Sequence, residues 1–126
     1  MVPTIEWAAP DGRKLQFGVY DHGGNWLDVS GVYMFCRREA NGTYTPLYIG
    51  QASSLKDRLP QHEQWSPAVR KGADSVHVAV LSSQADRDYF EPALIQHFQP
   101  ELNIQHKELG LGMLGPQSRP RPLFSH

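Results

Sequence analysis

Period-two and helical runs of apolar residues alternate along the chain, with turn residues at their borders. Leu15, Phe17 and Val19 alternate with polar neighbours over Lys14–Tyr20, and Pro10-Asp11-Gly12 separates that run from Thr4–Ala8. This predicts a β-hairpin. Asp21-His22-Gly23-Gly24 marks a second turn, after which Trp26, Leu27 and Val29 are expected to fill a gap in the core. Gly31 to Cys36 reads as a strand that pairs with Leu47-Tyr48-Ile49, with Asn41-Gly42 at the tip and Pro46 tolerated at a strand start. Ser75 to Leu81, with Val76, Val78 and Val80 on one face, predicts the third strand of a small antiparallel sheet.

Helical spacing fills the intervals. Ser53 or Ser54 is placed to cap a helix carrying Arg58, with His62 four residues on and so on the same face. Pro60 interrupts it, because an interior proline removes a hydrogen bond and clashes at a cost of about 3 kcal/mol. The helix therefore kinks or ends near Leu59, and in the second case His62 reaches the same region by another route. Ser66-Pro67 reads as an N-cap and first helical position, with Gly72 as the stop. Ser82 or Ser83 caps a longer helix to about Phe98, with Tyr89, Ala93, Leu94, His97 and Phe98 facing the sheet. Pro92, next to Glu91, predicts a kink that sets where Glu91 points, and Pro100-Glu101-Leu102-Asn103 closes the helix. Beyond Asn103, repeated glycine and proline mark an extended tail. The expected class is α+β: a three-stranded antiparallel sheet flanked by helices (30–104), an added N-terminal hairpin (1–29) and a tail (105–126).

Composition narrows the setting. A chain of 126 residues can bury one real core. Cys36 is its single cysteine, which excludes an internal disulfide and a cysteine-based zinc cluster and suits a buried strand position. No apolar run is long enough to span a membrane, and Met1–Trp7 lacks signal-peptide features, so a cytoplasmic protein is expected. The formal net charge of -1 runs against a broadly basic nucleic-acid binder. Local patches at Arg37-Arg38, Lys56 with Arg58, Arg70-Lys71, and Arg119 and Arg121 can still supply positive potential. Weak, salt-sensitive binding, or help from a partner, is expected.

The polar side chains on these elements are types that a reaction at a phosphodiester could use, since it needs an activated water, relief of phosphoryl charge and a stabilised leaving oxygen. Glu91 is a hard oxygen ligand, and Mg²⁺ needs only one or two carboxylates because it keeps several waters. Arg58 offers a planar donor fork for phosphate. Tyr48, or less favourably Tyr33, would orient or deprotonate the water. A phenol titrates near 10, so a cation or proton acceptor must favour its ionised form, with Arg58 for the first and His62 for the second. Singly, each residue has a plainer reading: tyrosines in strands pack, and a lone Glu or Arg on a helix is solvated. His77 and His97 read as structural, and His22, His106 and His126 as exposed.

Taken in order, Gly31-Val32-Tyr33, Tyr48-Ile49-Gly50, Arg58, Glu91 and Asn103 resemble the GIY-YIG nuclease family over about residues 30–104. His62 matches a histidine of its homing and restriction branches. The resemblance implies a metal-dependent endonuclease acting on DNA, with a tyrosine as general base and one Mg²⁺ or Mn²⁺ on Glu91. It further implies that Gly50, Gln51, Lys56 and Asn103 lie at or beside the substrate. Gln51 departs from the excision-repair branch, which carries a lysine there. The alternative is a nucleic-acid-binding or regulatory module that keeps the fold and depends on a protein partner or a second copy of the chain.

Overall fold

The structure, a computed structural model, describes residues 2–104. The expectations placed on the tail, including Arg119, Arg121, His106 and His126, lie outside the described residues. Strands β1 (Thr4–Ala8) and β2 (Lys14–Tyr20) form the expected hairpin, with Ile5 opposite Phe17 and Trp7 opposite Leu15. Strands β3 (Gly31–Arg38) and β4 (Tyr44–Ala52) form the second, with Tyr33 opposite Gly50 and Phe35 opposite Tyr48. Cys36 then faces Pro46, so Leu47 is an extra residue in a bulge.

Strand β5 (Ser75–Val80) lies between β2 and β3, giving one five-stranded antiparallel sheet in the order β1-β2-β5-β3-β4. This corrects the expected three-stranded sheet with a separate hairpin. With β3 on one side, β5 still presents a row of N–H and C=O groups on the other, and β2 satisfies them at Gly18 to Tyr20. A central strand is also covered on both faces. Ser75 to Ala79 are all buried, while Val80, expected inward with Val76 and Val78, is 64% exposed.

Helices cover both faces of the sheet. On one, α3 (Gln84–Phe98) sets Phe90 and Leu94 against Trp7, Phe17, Val32, Met34 and Ile49. On the other, α1 (Leu55–Arg58) and α2 (Trp65–Arg70) enclose Tyr33, Phe35, Leu59, Val76 and Val78. Trp26 and Val29 pack against this second layer, but Leu27 is 70% exposed and contributes its carbonyl to the Lys56 amide instead.

Local signals decide the helix ends. The Ser54 side chain caps α1, which ends at Arg58 ahead of Pro60. His62 therefore sits in the turn that follows, its amide on the Leu59 carbonyl at 3.3 Å, and not one turn further along a common helix. Helix α2 starts at Trp65, two residues before Pro67, and Gln64 at its N-cap makes no side-chain bond, so the Ser66 cap is not used. Gly72, with φ of 100°, follows α2 as the stop signal anticipated. Ser83 caps α3, which runs through Pro92, and Gln99 in the left-handed region ends it. A helical turn over 101–104 then delivers Asn103 to the outer edge of β4. Among the described residues, no helix is long and apolar enough to cross a membrane.

Candidate active site

Side chains alternate along strands, so Tyr33 and Phe35 on β3 share a face with their cross-strand partners Gly50 and Tyr48. The Tyr33 ring lies over Gly50. A Cβ at Gly50 would come within 2.6 Å of Tyr33 Oη, so the second motif needs glycine to make room for the tyrosine of the first. The two phenol rings are 6.4 Å apart, and each meets His62 edge to face, at 5.4 Å for Tyr33 and 5.1 Å for Tyr48.

His62 Nε2 lies 2.7 Å from Tyr33 Oη, while the Gln64 amide donates to His62 Nδ1 at 3.0 Å. A ring nitrogen that accepts a hydrogen bond carries no proton, so the proton of the neutral ring is on Nε2 and is donated to Tyr33. Burial, reinforced by the Arg58 charge, lowers the His62 pKa to about 4 and keeps the ring neutral. His62 is thus a donor to Tyr33, which corrects the expectation that it accepts the proton of a catalytic phenol. Burial also raises both phenols; Tyr48 adds to the shift on Tyr33, Arg58 opposes it at both, and the Glu91 carboxylate adds to it at both. Both phenols are therefore protonated at neutral pH.

Arg58 is already engaged. Its two terminal nitrogens donate to the two carboxylate oxygens of Glu63 at 2.7 and 2.8 Å. That bond holds the Glu63 pKa down to about 2 and raises the pKa of Arg58. Sequence spacing gives no signal for Glu63, because the chain between the two residues leaves the helix. One member of each of two other basic patches is similarly tied, Arg37 to Glu39 at 2.9 Å and Lys71 to Glu101 at 2.8 Å. Lys56 is exposed and forms no salt bridge among the described residues.

Glu91 projects from α3 and is half-buried, and burial raises its pKa. Gln51 Nε2 donates to Glu91 Oε1 at 2.8 Å and to Asp88 Oδ1 at 3.2 Å. Gln51, expected at the substrate, is spent on α3. Asn103 is also spent: its Oδ1 accepts from the Ile49 amide at 2.8 Å, and its Nδ2 donates to the Ile49 carbonyl at 2.9 Å. Because β4 is an edge strand, this amide pairs groups that no neighbouring strand reaches, and so it clamps Tyr48-Ile49-Gly50 in place. Sequence reasoning also passed over Gln84, Arg87 and Asp88. Their spacing from Glu91 on α3 was a usable sign that they share its side of the helix, but the strand residue they meet was not visible.

Among the described residues no group of three or more His, Cys, Asp or Glu is placed to hold a metal. The donor set fits a hard cation that keeps its waters, since Glu91 Oε2 has no hydrogen-bond partner among the described residues. It does not fit a zinc site, which needs more protein ligands.

No family model matches the chain. Over 89 residues it is 34% identical to UvrABC system protein C of Aquifex aeolicus (strain VF5), a match covering 66% of this chain and 15% of that protein. The chain thus matches only a small part of this much longer relative. Among solved structures it is similar to the GIY-YIG N-terminal endonuclease domain of UvrC from Thermotoga maritima bound to magnesium, at 26% identity and a TM-score of 0.49. That match covers 60% of this chain and 84% of the domain. A point mutant of the domain bound to its catalytic divalent cation gives 27% identity, a TM-score of 0.49, and 60% and 83% coverage. In its ordered motif residues and its sequence match to part of a UvrC, the chain is similar to the GIY-YIG nuclease family.

Proposed function

We propose that the chain is a metal-dependent endonuclease hydrolysing phosphodiester bonds in DNA, with residues 30–104 as its catalytic core. The observation that carries this reading is the gathering of Tyr33, Tyr48, His62, Arg58 and Glu91 around one hairpin, with both phenols in the electrostatic field of Arg58 and Glu91. A single carboxylate with one free oxygen suits a hard cation that keeps its waters, so Mg²⁺ or Mn²⁺ is the cofactor in this reading.

Glu91 would hold the metal through Oε2 while Gln51 occupies Oε1. When bound, the cation would stabilise the leaving oxygen and replace the negative field at Glu91 with a positive one, the direction that favours a phenolate. Tyr48, half-buried and with no hydrogen-bond partner for its hydroxyl among the described residues, is the general base in this reading. Tyr33 accepts from His62 and so can turn its own proton toward the attacking water or a phosphate oxygen. Arg58 would exchange Glu63 for a substrate phosphate, because both anions offer its fork two oxygens. Lys56 and the Gly50 backbone flank the substrate path.

The test is cleavage of labelled single-stranded, duplex, flapped and branched DNAs at low salt, with and without Mn²⁺. Wild type is run beside Glu91→Ala and Tyr48→Phe. Metal-dependent cutting lost in both variants supports the reading, and equal cutting by wild type and Glu91→Ala overturns it. A second reading, a nucleic-acid-binding or regulatory module that relies on a partner, is favoured by the ion pairs that engage Arg37, Arg58 and Lys71 and by the net charge of -1. Binding of DNA without any cutting would select it.

A further inference from the structure

Beside Glu91 runs a chain of side-chain hydrogen bonds with one possible polarity. Arg87, buried on α3, donates from one terminal nitrogen to the Leu81 carbonyl at 2.7 Å and from the other to Gln84 Oε1 at 2.9 Å. A guanidinium has no acceptor, so the oxygen of Gln84 must face Arg87 and its amine must face away. That amine donates to Asp88 Oδ1 at 2.8 Å and to Gln51 Oε1 at 3.0 Å. The oxygen of Gln51 is thereby fixed, and its amine donates to Asp88 Oδ1 at 3.2 Å and Glu91 Oε1 at 2.8 Å. Flipping either amide would set oxygen against carboxylate and donor against donor. The Gln51 amine also lies between two like charges one helical turn apart, which would otherwise push each other away from a fixed geometry.

We infer that Arg87, Gln84 and Gln51 form a positioning relay that occupies Glu91 Oε1 and leaves Oε2 directed to the metal. The inference rests on the proposed role of Glu91. Partners that orient a ligating carboxylate typically change metal affinity by about 10- to 100-fold when lost.

The decisive variant is Gln84→Glu, which keeps the acceptor for Arg87, is isosteric, and removes both donors. Mn²⁺ binding to the free protein is followed by electron paramagnetic resonance, and cleavage is resolved into kcat and KM for DNA. Circular dichroism melts establish that the variants fold. The relay predicts Mn²⁺ binding weaker by about tenfold and a lower kcat at unchanged KM. Arg87→Met, which removes the donor that fixes Gln84, should follow Gln84→Glu. Wild-type Mn²⁺ affinity and kcat in folded Gln84→Glu would overturn the relay. If Glu91→Ala itself retained Mn²⁺ affinity and cleavage, the metal reading of Glu91 would fail instead.

Discussion

Glu63 grips both arms of the Arg58 guanidinium, at 2.7 and 2.8 Å, in the two-oxygen geometry that a phosphodiester would use. The guanidinium is thus neutralised by its own chain, and under the proposed function a substrate phosphate would have to displace Glu63. Exposed ion pairs of this kind are worth about 0.2–1 kcal/mol, so displacing Glu63 is affordable but measurable. Glu63→Gln should tighten DNA binding about two- to fivefold at low salt and steepen the salt dependence, as one more phosphate contact would. Fluorescence anisotropy across a salt series reads both. In an Arg58→Ala background the substitution should have no such effect; an equal gain there would show a general charge effect and not competition at Arg58.

Gly50 carries a different demand. A Cβ there would lie 2.6 Å from Tyr33 Oη and 2.8 Å from Cζ. Gly50→Ala should displace the ring, break the bond to His62 and cost about 1–3 kcal/mol, the usual penalty for overpacking. Urea unfolding checks the stability, and cleavage should fall further than the unfolded fraction explains. Unchanged stability would mean that the ring moves aside freely.

Asn103 pairs both backbone groups of Ile49. Asn103→Asp keeps the acceptor for the amide but sets an oxygen against the carbonyl, so it should cost about 1–3 kcal/mol and speed hydrogen exchange at the Ile49 amide. Exchange at Met34, on the paired strand, is the internal reference. Equal protection in the variant and wild type would remove Asn103 as a clamp.

Acid should destabilise the fold between pH 6.5 and 4. His62 and His77 are both depressed to about 4, chiefly by burial, with Arg58 adding to the shift at His62. A depressed histidine binds protons more readily unfolded than folded, so its stabilising contribution is complete above about 6.5 and is lost as pH falls toward 4. Each shift corresponds to about 3 kcal/mol over that window, as an order of magnitude. Unfolding free energies from pH 8 to 4 should follow this slope, and His62→Asn should flatten it by roughly half. An unchanged slope in that variant would place the titration elsewhere.

Much of this was legible in the chain. Pro10-Asp11-Gly12 and Asn41-Gly42 announced their hairpins, because few residues suit such turns. Ser54 and Ser83 sat where helix caps belong, and both cap. Pro60 ended α1 for the local reason that it must. The errors arose where a partner distant in sequence decided the outcome. Leu27 looked like core but is exposed, and His22, expected in solvent, stacks on Trp65 at 4.2 Å and bonds the Leu59 carbonyl.

By itself, the sequence determined the hairpins, the helix limits and the identity of the motif residues, since turn, cap and proline chemistry act over a few neighbouring residues. Only the tertiary structure decided what those residues touch. It set β2 against β5, turned His62 toward Tyr33 as a donor, gave Glu63 to Arg58, and spent Gln51 on Glu91 and Asn103 on Ile49. Each outcome answers an unmet hydrogen bond or charge on one segment with a group that the fold carries in from another. Pairings of that kind have no local signature.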